Sequence, residues 1–282
     1  MRFPLSFAAA LFLLPHSLHA EPGRLRHEGT IRVGVLSEAE KPAANTSQGL
    51  YIQILSEAGM DAHAVSAQMV KDGALDKLDI FIIGGGSGSK FNTSLGPDGG
   101  AKVRAFVQAG GGALASCAGG YSFVNGPTEV LRYISIAHAN CIDFENGRWA
   151  RGKGDMVIAP VGEGFPQLRV FYMNGPLWKI EETFGPDRTV ALARYVTEVK
   201  KEGTPGGTMA GTPAILGGTC GDGRYVLFSA HPEFYKKYGN QPMVADAARW
   251  VVRGKLAADE TIDYATVFPS MLARNEAAPA QR

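Results

Sequence analysis

The sequence predicts an α/β domain with a mostly parallel sheet covered by helices. Three observations carry this expectation. Short apolar runs of strand length alternate with helical stretches along much of the chain. Glycines cluster at Gly84-Gly85-Gly86, Gly110-Gly111-Gly112 and Gly217-Gly218, between apolar runs, and so read as turn chemistry. With 36 glycines in 282 residues, the excess over average usage (about 7%) lies largely in such clusters and is not low complexity.

Residues 30–36 are the first expected strand, and residues 48–58 form an amphipathic helix ended by Gly59. Residues 61–65 and 78–83 read as the second and third strands, the third running straight into the glycine run 84–88. Residues 101–109 are helical, started near Asp98 and stopped by the triplet 110–112. The small apolar run 113–116 follows as a buried strand. From 137 to 179, short apolar and aromatic pieces are broken by Gly, Pro and Asn, which predicts a β-rich insertion or layer. Strands resume at 189–197, 214–216 and 225–229, and residues 243–253 make a closing helix.

The chain opens with Met1-Arg2, an almost wholly apolar stretch from Phe3 to Leu14, and Ala20 before the polar Glu21-Pro22. That pattern predicts a signal peptide over residues 1–20 and an exported protein, periplasmic or secreted. The apolar run is shorter than the ~20 residues a membrane span needs. Residues 21–268 then form one domain, and residues 269–282, rich in Ala, Pro and charge, a loosely ordered tail. A net charge of +1 with scattered basic residues points away from nucleic acid and from a membrane-binding face. His and Cys show no metal-ligand spacing, and no cofactor motif is present. Asn45-Thr46-Ser47 and Asn92-Thr93-Ser94 fit the glycosylation pattern.

Cys117 ends the strand 113–116 and is followed by Ala118-Gly119-Gly120, residues small enough for a sharp turn into a helix. A thiol at such a turn stands above a sheet edge and faces a helix N-terminus, which favours thiolate. The alternative is a core cysteine, since free cysteines are among the most buried residues. Six histidines are present, two of them (His16 and His19) in the expected signal peptide. Of the rest, only His231 follows a strongly strand-like run, which would deliver it to a strand end. Glu233, two residues on across the rigid Pro232, can orient its imidazole. Backbone N–H groups of Gly85, Gly86 and Ala118 are candidates for an anion hole, the alternative being a loop that is merely flexible or cradles phosphate. Tyr121, Tyr172 and Asn174 are pocket candidates; Trp149 and Trp178 in the β-rich segment are pocket lining or packing. Arg148 and Arg151 read as solvent-facing or site-edge charges. Three cysteines leave one unpaired if Cys141 and Cys220 join, or all three stay reduced.

The runs Ile82–Gly88, Gly111–Tyr121, Phe171–Pro176 and Phe228–Glu233 resemble the class I glutamine amidotransferase-like superfamily, and within it the branch shared with the N-terminal domain of biotin–protein ligases. The resemblance spans residues 31–254. It implies a flavodoxin-like three-layer sandwich, Cys117 as nucleophile, His231 as base, Glu233 as its orienter, and anion-hole amides near Gly85 and Gly86. Tyr121 stands where glutamine-hydrolysing members carry Gln, four positions after the cysteine. The function expected on this basis is that of an exported cysteine-dependent hydrolase or amidohydrolase acting on a carbon–nitrogen bond of a small-molecule or peptide-like substrate. A non-catalytic small-ligand module and a redox-responsive thiol are the other readings of the same residues.

Overall fold

The computed structural model describes residues 29–143, 152–182 and 185–272. The expected signal peptide, Arg148, Trp149, Arg151 and nearly all of the expected tail lie outside them.

The first half alternates strands and helices: β1 (Arg32–Leu36), α1 (Ser47–Glu57), β2 (Asp61–Val65), α2 (Ala67–Lys71), β3 (Ile80–Ile83), α3 (Gly88–Gln108), β4 (Gly112–Ser116) and α4 (Gly120–Phe123). β5 (Ala139–Cys141), β6 (Lys153–Pro160), β7 (Leu168–Met173), β8 (Trp178–Ile180), β9 (Thr189–Tyr195), β10 (Pro213–Cys220) and β11 (Gly223–Phe228) follow, then α5 (Gln241–Val251) and α6 (Tyr264–Val267). The helix expected over 101–109 is the second part of a longer α3. At Gly96 (φ 65°, ψ 179°) the backbone leaves helical geometry, and Pro97 restarts it.

One nine-stranded sheet runs in the order β2-β1-β3-β4-β11-β10-β9-β6-β7. This corrects the expected flavodoxin-like sandwich with a mostly parallel sheet. Four of the pairings are parallel, among β2, β1, β3, β4 and β11, and four are antiparallel, from β11 through to β7. The β-rich segment is not an insertion beside the sheet, because β6 and β7 extend it; only β5 and β8 pair separately. The antiparallel half also curls. β7 stands last in the order, yet its Phe171 carbonyl accepts the N–H of His231, just past β11, at 2.9 Å. Gly175 makes the close approach possible: a Cβ there would lie 1.8 Å from the Ser229 carbonyl oxygen.

Both faces of the parallel half are covered, so its strands read as continuous apolar runs. In β3, Ile80 and Ile82 join Tyr51, Leu55, Val244 and Ala248 on the α1/α5 side, while Phe81 and Ile83 meet Val103, Val107 and Phe123 on the α3/α4 side. Gly217 and Gly218 are not turn residues. They lie inside the fully buried β10, where a Cβ on Gly218 would come within 2.2 Å of both the Tyr225 hydroxyl and the Arg188 carbonyl oxygen. Asn92 is fully buried, its amide donating to Gly88 O at 2.8 Å and to Ser122 Oγ at 2.6 Å, so that sequence pattern is packing and not a surface acceptor.

Candidate functional site

β4 delivers the chain to Cys117, whose φ of 49° lies in the left-handed region that residues with side chains rarely adopt. Such a conformation costs on the order of 1–3 kcal/mol and persists only where neighbours enforce it. Gly119 is one cause: its N–H donates to Gly84 O at 3.2 Å, and a Cβ on it would lie 1.9 Å from Ile83 O. The Cys117 thiol donates to the carbonyl of Met173, the last residue of β7, at 3.1 Å.

On the neighbouring strand, the segment after β11 is held by Ser229 Oγ donating to Pro176 O at 2.6 Å and by the bridge from His231 to Phe171. Glu233, fully buried, concentrates its contacts on Oε1, which meets Nδ1 of His231 at 2.8 Å and accepts from Ser47 Oγ at 2.6 Å and Ser116 Oγ at 2.9 Å. His231 is 2% exposed and packed edge-on against the Phe234 ring. Burial opposes charge on the ring, but the Glu233 carboxylate and then the hydrogen-bonded Cys117 sulfur outweigh it, so His231 is pushed up to about 10. At neutral pH it is an imidazolium, with Nδ1–H engaged by Glu233.

These elements surround a pocket of about 1080 Å³. Among the sequence-predicted residues, Cys117, Ala118, Tyr121, Gly85, Gly86, Asn174 and His231 line it. Glu233 stands behind His231, out of the pocket. Tyr172 is corrected: it is fully buried, donates to Gly175 O at 2.7 Å and packs edge-on against Tyr195, because it points to the core side of β7. Trp178 is likewise core, packed under Gly120. The Gly85 N–H donates to Ser47 Oγ at 2.7 Å and is thereby engaged inside the protein, not turned toward a ligand.

Sequence reasoning missed Ser47, Gln48, Asp143, Lys201 and Phe234. Ser47 opens α1 behind the N-cap Thr46, and ties Glu233 to the glycine loop. Gln48 donates to Gly85 O at 2.8 Å, Asp143 accepts from the Tyr121 hydroxyl, and Lys201 reaches the pocket from the segment between β9 and β10. Only Phe234, adjacent to Glu233, was within reach of a motif. All three cysteines are buried and none is in a disulfide, so the pairing of Cys141 with Cys220 is absent. Among the described residues, no group of three or more His, Cys, Asp or Glu is placed to hold a metal ion, and no helix is long and apolar enough to cross a membrane.

No protein-family model matches this chain, and no curated protein does. Solved structures share its fold. Two are Salmonella typhimurium proteins described as cytoplasmic: one is 11% identical, covering 80% of this chain and 100% of its own, at a TM-score of 0.52. The other is 14% identical, covering 78% and 99%, at 0.53. A β-galactosidase from Rahnella sp. R3 is 16% identical at a TM-score of 0.45; the match covers 88% of this chain and 32% of that one. These likenesses bear on the fold alone.

They correct the family expectation. No family model places the chain among glutamine amidotransferase-like proteins, and neither Salmonella structure is described as an amidotransferase or a biotin–protein ligase. The cysteine-dependent hydrolase is withdrawn with it, on the electrostatics as well: a protonated imidazole has no lone pair with which to act as base. The segment that carried the expectation of export lies outside the described residues.

Proposed function

We propose that the pocket binds a small anionic organic molecule, a carboxylate being the group that best matches His231. One observation carries this reading: a buried imidazolium, held protonated by Glu233, lines the pocket. An anionic oxygen of a ligand beside it would gain from that positive charge. Lys201 adds a second positive charge, and Gln48, Thr128 and Asn174 contribute neutral polar groups around it. A volume of about 1080 Å³ lies at the upper end of the range usual for small-molecule sites.

Calorimetric titration with succinate and glutamate, against the neutral diamide succinamide, tests the reading. The acids bind and the diamide does not, and His231→Gln weakens the acids about tenfold or more, through the loss of that charge. Equal binding of the diamide, or acid affinity unchanged in His231→Gln, would overturn it.

A further inference from the structure

We infer that the ligand carries a pyranose ring beyond its carboxylate, and that this ring occupies a second cavity beyond the ends of β1 and β3. The inference rests on the anionic-ligand reading and names the class of acid, a glycosylated sugar acid.

The parallel half of the sheet places this cavity. In the order β2-β1-β3-β4, the chain leaves β1 for α1 on one face of the sheet and leaves β3 for α3 on the other. Neighbouring parallel strands whose connections part in this way open a crevice outside their carboxyl ends, the usual place for a ligand in such sheets. Here the crevice is a cavity of about 620 Å³. Gln48, Gly85, Gly86 and Ser89 line both it and the large pocket, so the two spaces adjoin across the glycine loop. Gly86 keeps the crossing low: its φ is 148°, and a Cβ there would lie 2.8 Å from the Phe91 ring. Gln48 holds the loop from the α1 side by donating to Gly85 O at 2.8 Å. One elongated molecule therefore spans from His231 to the crevice without displacing the chain.

The walls of the crevice select a sugar. Phe91 is half-buried, packed against the apolar cluster on the α3/α4 side, and lines the cavity. Polar groups of both kinds stand around it. The Glu38 carboxylate is fixed by accepting the Ala67 N–H at 3.2 Å. Among the described residues, the side chains of Ser89, Lys90 and Thr93 make no hydrogen bond or ion pair, so their capacity is open to a ligand. A pyranose has C–H faces that stack on an aromatic ring and an equator of hydroxyls that both donate and accept. A plain aryl group would use Phe91 alone and leave the carboxylate, ammonium and hydroxyls unmatched. A second carboxylate would meet Glu38 as well as Lys90, and these opposite charges suit an uncharged ring better.

The experiment measures, by calorimetry on the full chain, the binding of lactobionate, cellobionate and maltobionate, each a gluconate carrying one pyranose. Gluconate, succinate and the neutral parent disaccharides are the comparators. At least one of the three glycosylated acids is expected to bind about tenfold more tightly than gluconate, and about tenfold more tightly than its own parent disaccharide. Phe91→Ala should bring that acid and gluconate to equal affinity, while Phe91→Tyr, which keeps the ring, should preserve the difference. Thr93→Trp fills the cavity from the exposed surface of α3 and should also erase the difference, so the outcome does not depend on how well Phe91→Ala folds. Gluconate binding with no gain for any of the three acids, or a gain that survives both Phe91→Ala and Thr93→Trp, would overturn the pyranose site and leave the anionic-ligand reading in place. A neutral disaccharide that binds as tightly as its acid would overturn the joined ligand. No binding of gluconate or succinate would retire the anionic-ligand reading, and this inference with it.

Discussion

Ser47 and Glu233, 186 residues apart, are joined by a hydroxyl-to-carboxylate hydrogen bond of 2.6 Å at the base of the pocket. The same Ser47 oxygen accepts the Gly85 N–H at 2.7 Å. One buried hydroxyl therefore locks the start of α1, the glycine loop after β3 and the carboxylate behind His231 into a single unit.

Ser47→Ala leaves the Gly85 N–H without its acceptor and removes one of the donors to Glu233. Each buried group so stranded costs about 1–3 kcal/mol. Urea denaturation is expected to show a lowered midpoint with an unchanged slope, the stability loss being at least about 1–3 kcal/mol. A midpoint equal to the parent's would mean that water enters and replaces the hydroxyl.

His231 links stability to pH in a stated direction. Its folded pKa, about 10, lies above the ordinary histidine value of 6.5, so folding takes up a proton in the interval between them. The contribution is fully present below pH 6.5 and is lost as pH rises through about 10. His231→Gln is expected to flatten the stability profile across that alkaline interval, and imidazole proton resonances should place the titration directly. A midpoint near 6.5 would refute the paired imidazolium.

Arg224 is a second buried charge, far from the pocket. Its side chain is 0% exposed, meets both carboxylate oxygens of Glu260 at 2.7 Å, and lies over the Trp250 ring. Removing one partner of a buried pair costs about 3–5 kcal/mol, so Arg224→Ala should lower the melting temperature sharply. Burial works to raise the Glu260 carboxyl, but the Arg224 hydrogen bond and charge, with Arg253, hold it below its ordinary value. Its contribution is therefore complete above the usual carboxylate range and lost as pH falls below it. Glu260→Gln should remove that acid sensitivity.

Gly218→Ala is expected to be among the most damaging single changes, because the added methyl would meet Tyr225 and the Arg188 backbone at 2.2 Å. Overpacking of this kind typically costs about 1–3 kcal/mol or more. Gly154→Ala in β6 is the control. Its Cβ would meet only Val199 Cγ2 at 3.4 Å, an ordinary contact, and thermal melting should leave it within about 0.5 kcal/mol of the parent.

Much of the secondary structure is a local property of this chain. β1, α1, β2, β3 and β4 fall within a few residues of where apolar period and glycine punctuation place them, because each is decided within about ten residues. Cys117 at a strained turn, and His231 beside Glu233, likewise follow from neighbours in sequence. What the antiparallel half does was not legible. Nothing local tells β6 and β7 to extend the sheet, nor tells β7 to curl back so that Phe171 meets His231; that depends on Gly175 packing against Ser229 more than fifty residues away. The glycines of β10 misled for the same reason, since close approach of distant chains and turn formation both call for glycine. Ser47, Asp143 and Lys201 come from separate segments and carry no common motif, and the hydrogen bond that consumes the Gly85 N–H exists only once α1 is docked. Sequence by itself determined where β1, α1, β2, β3 and β4 lie and that Cys117 closes β4 at a sharp turn. Only the tertiary structure decided which donors are used up inside the protein, as the Gly85 N–H is on Ser47, because hydrogen-bond satisfaction is settled by contacts between residues that the chain order keeps far apart.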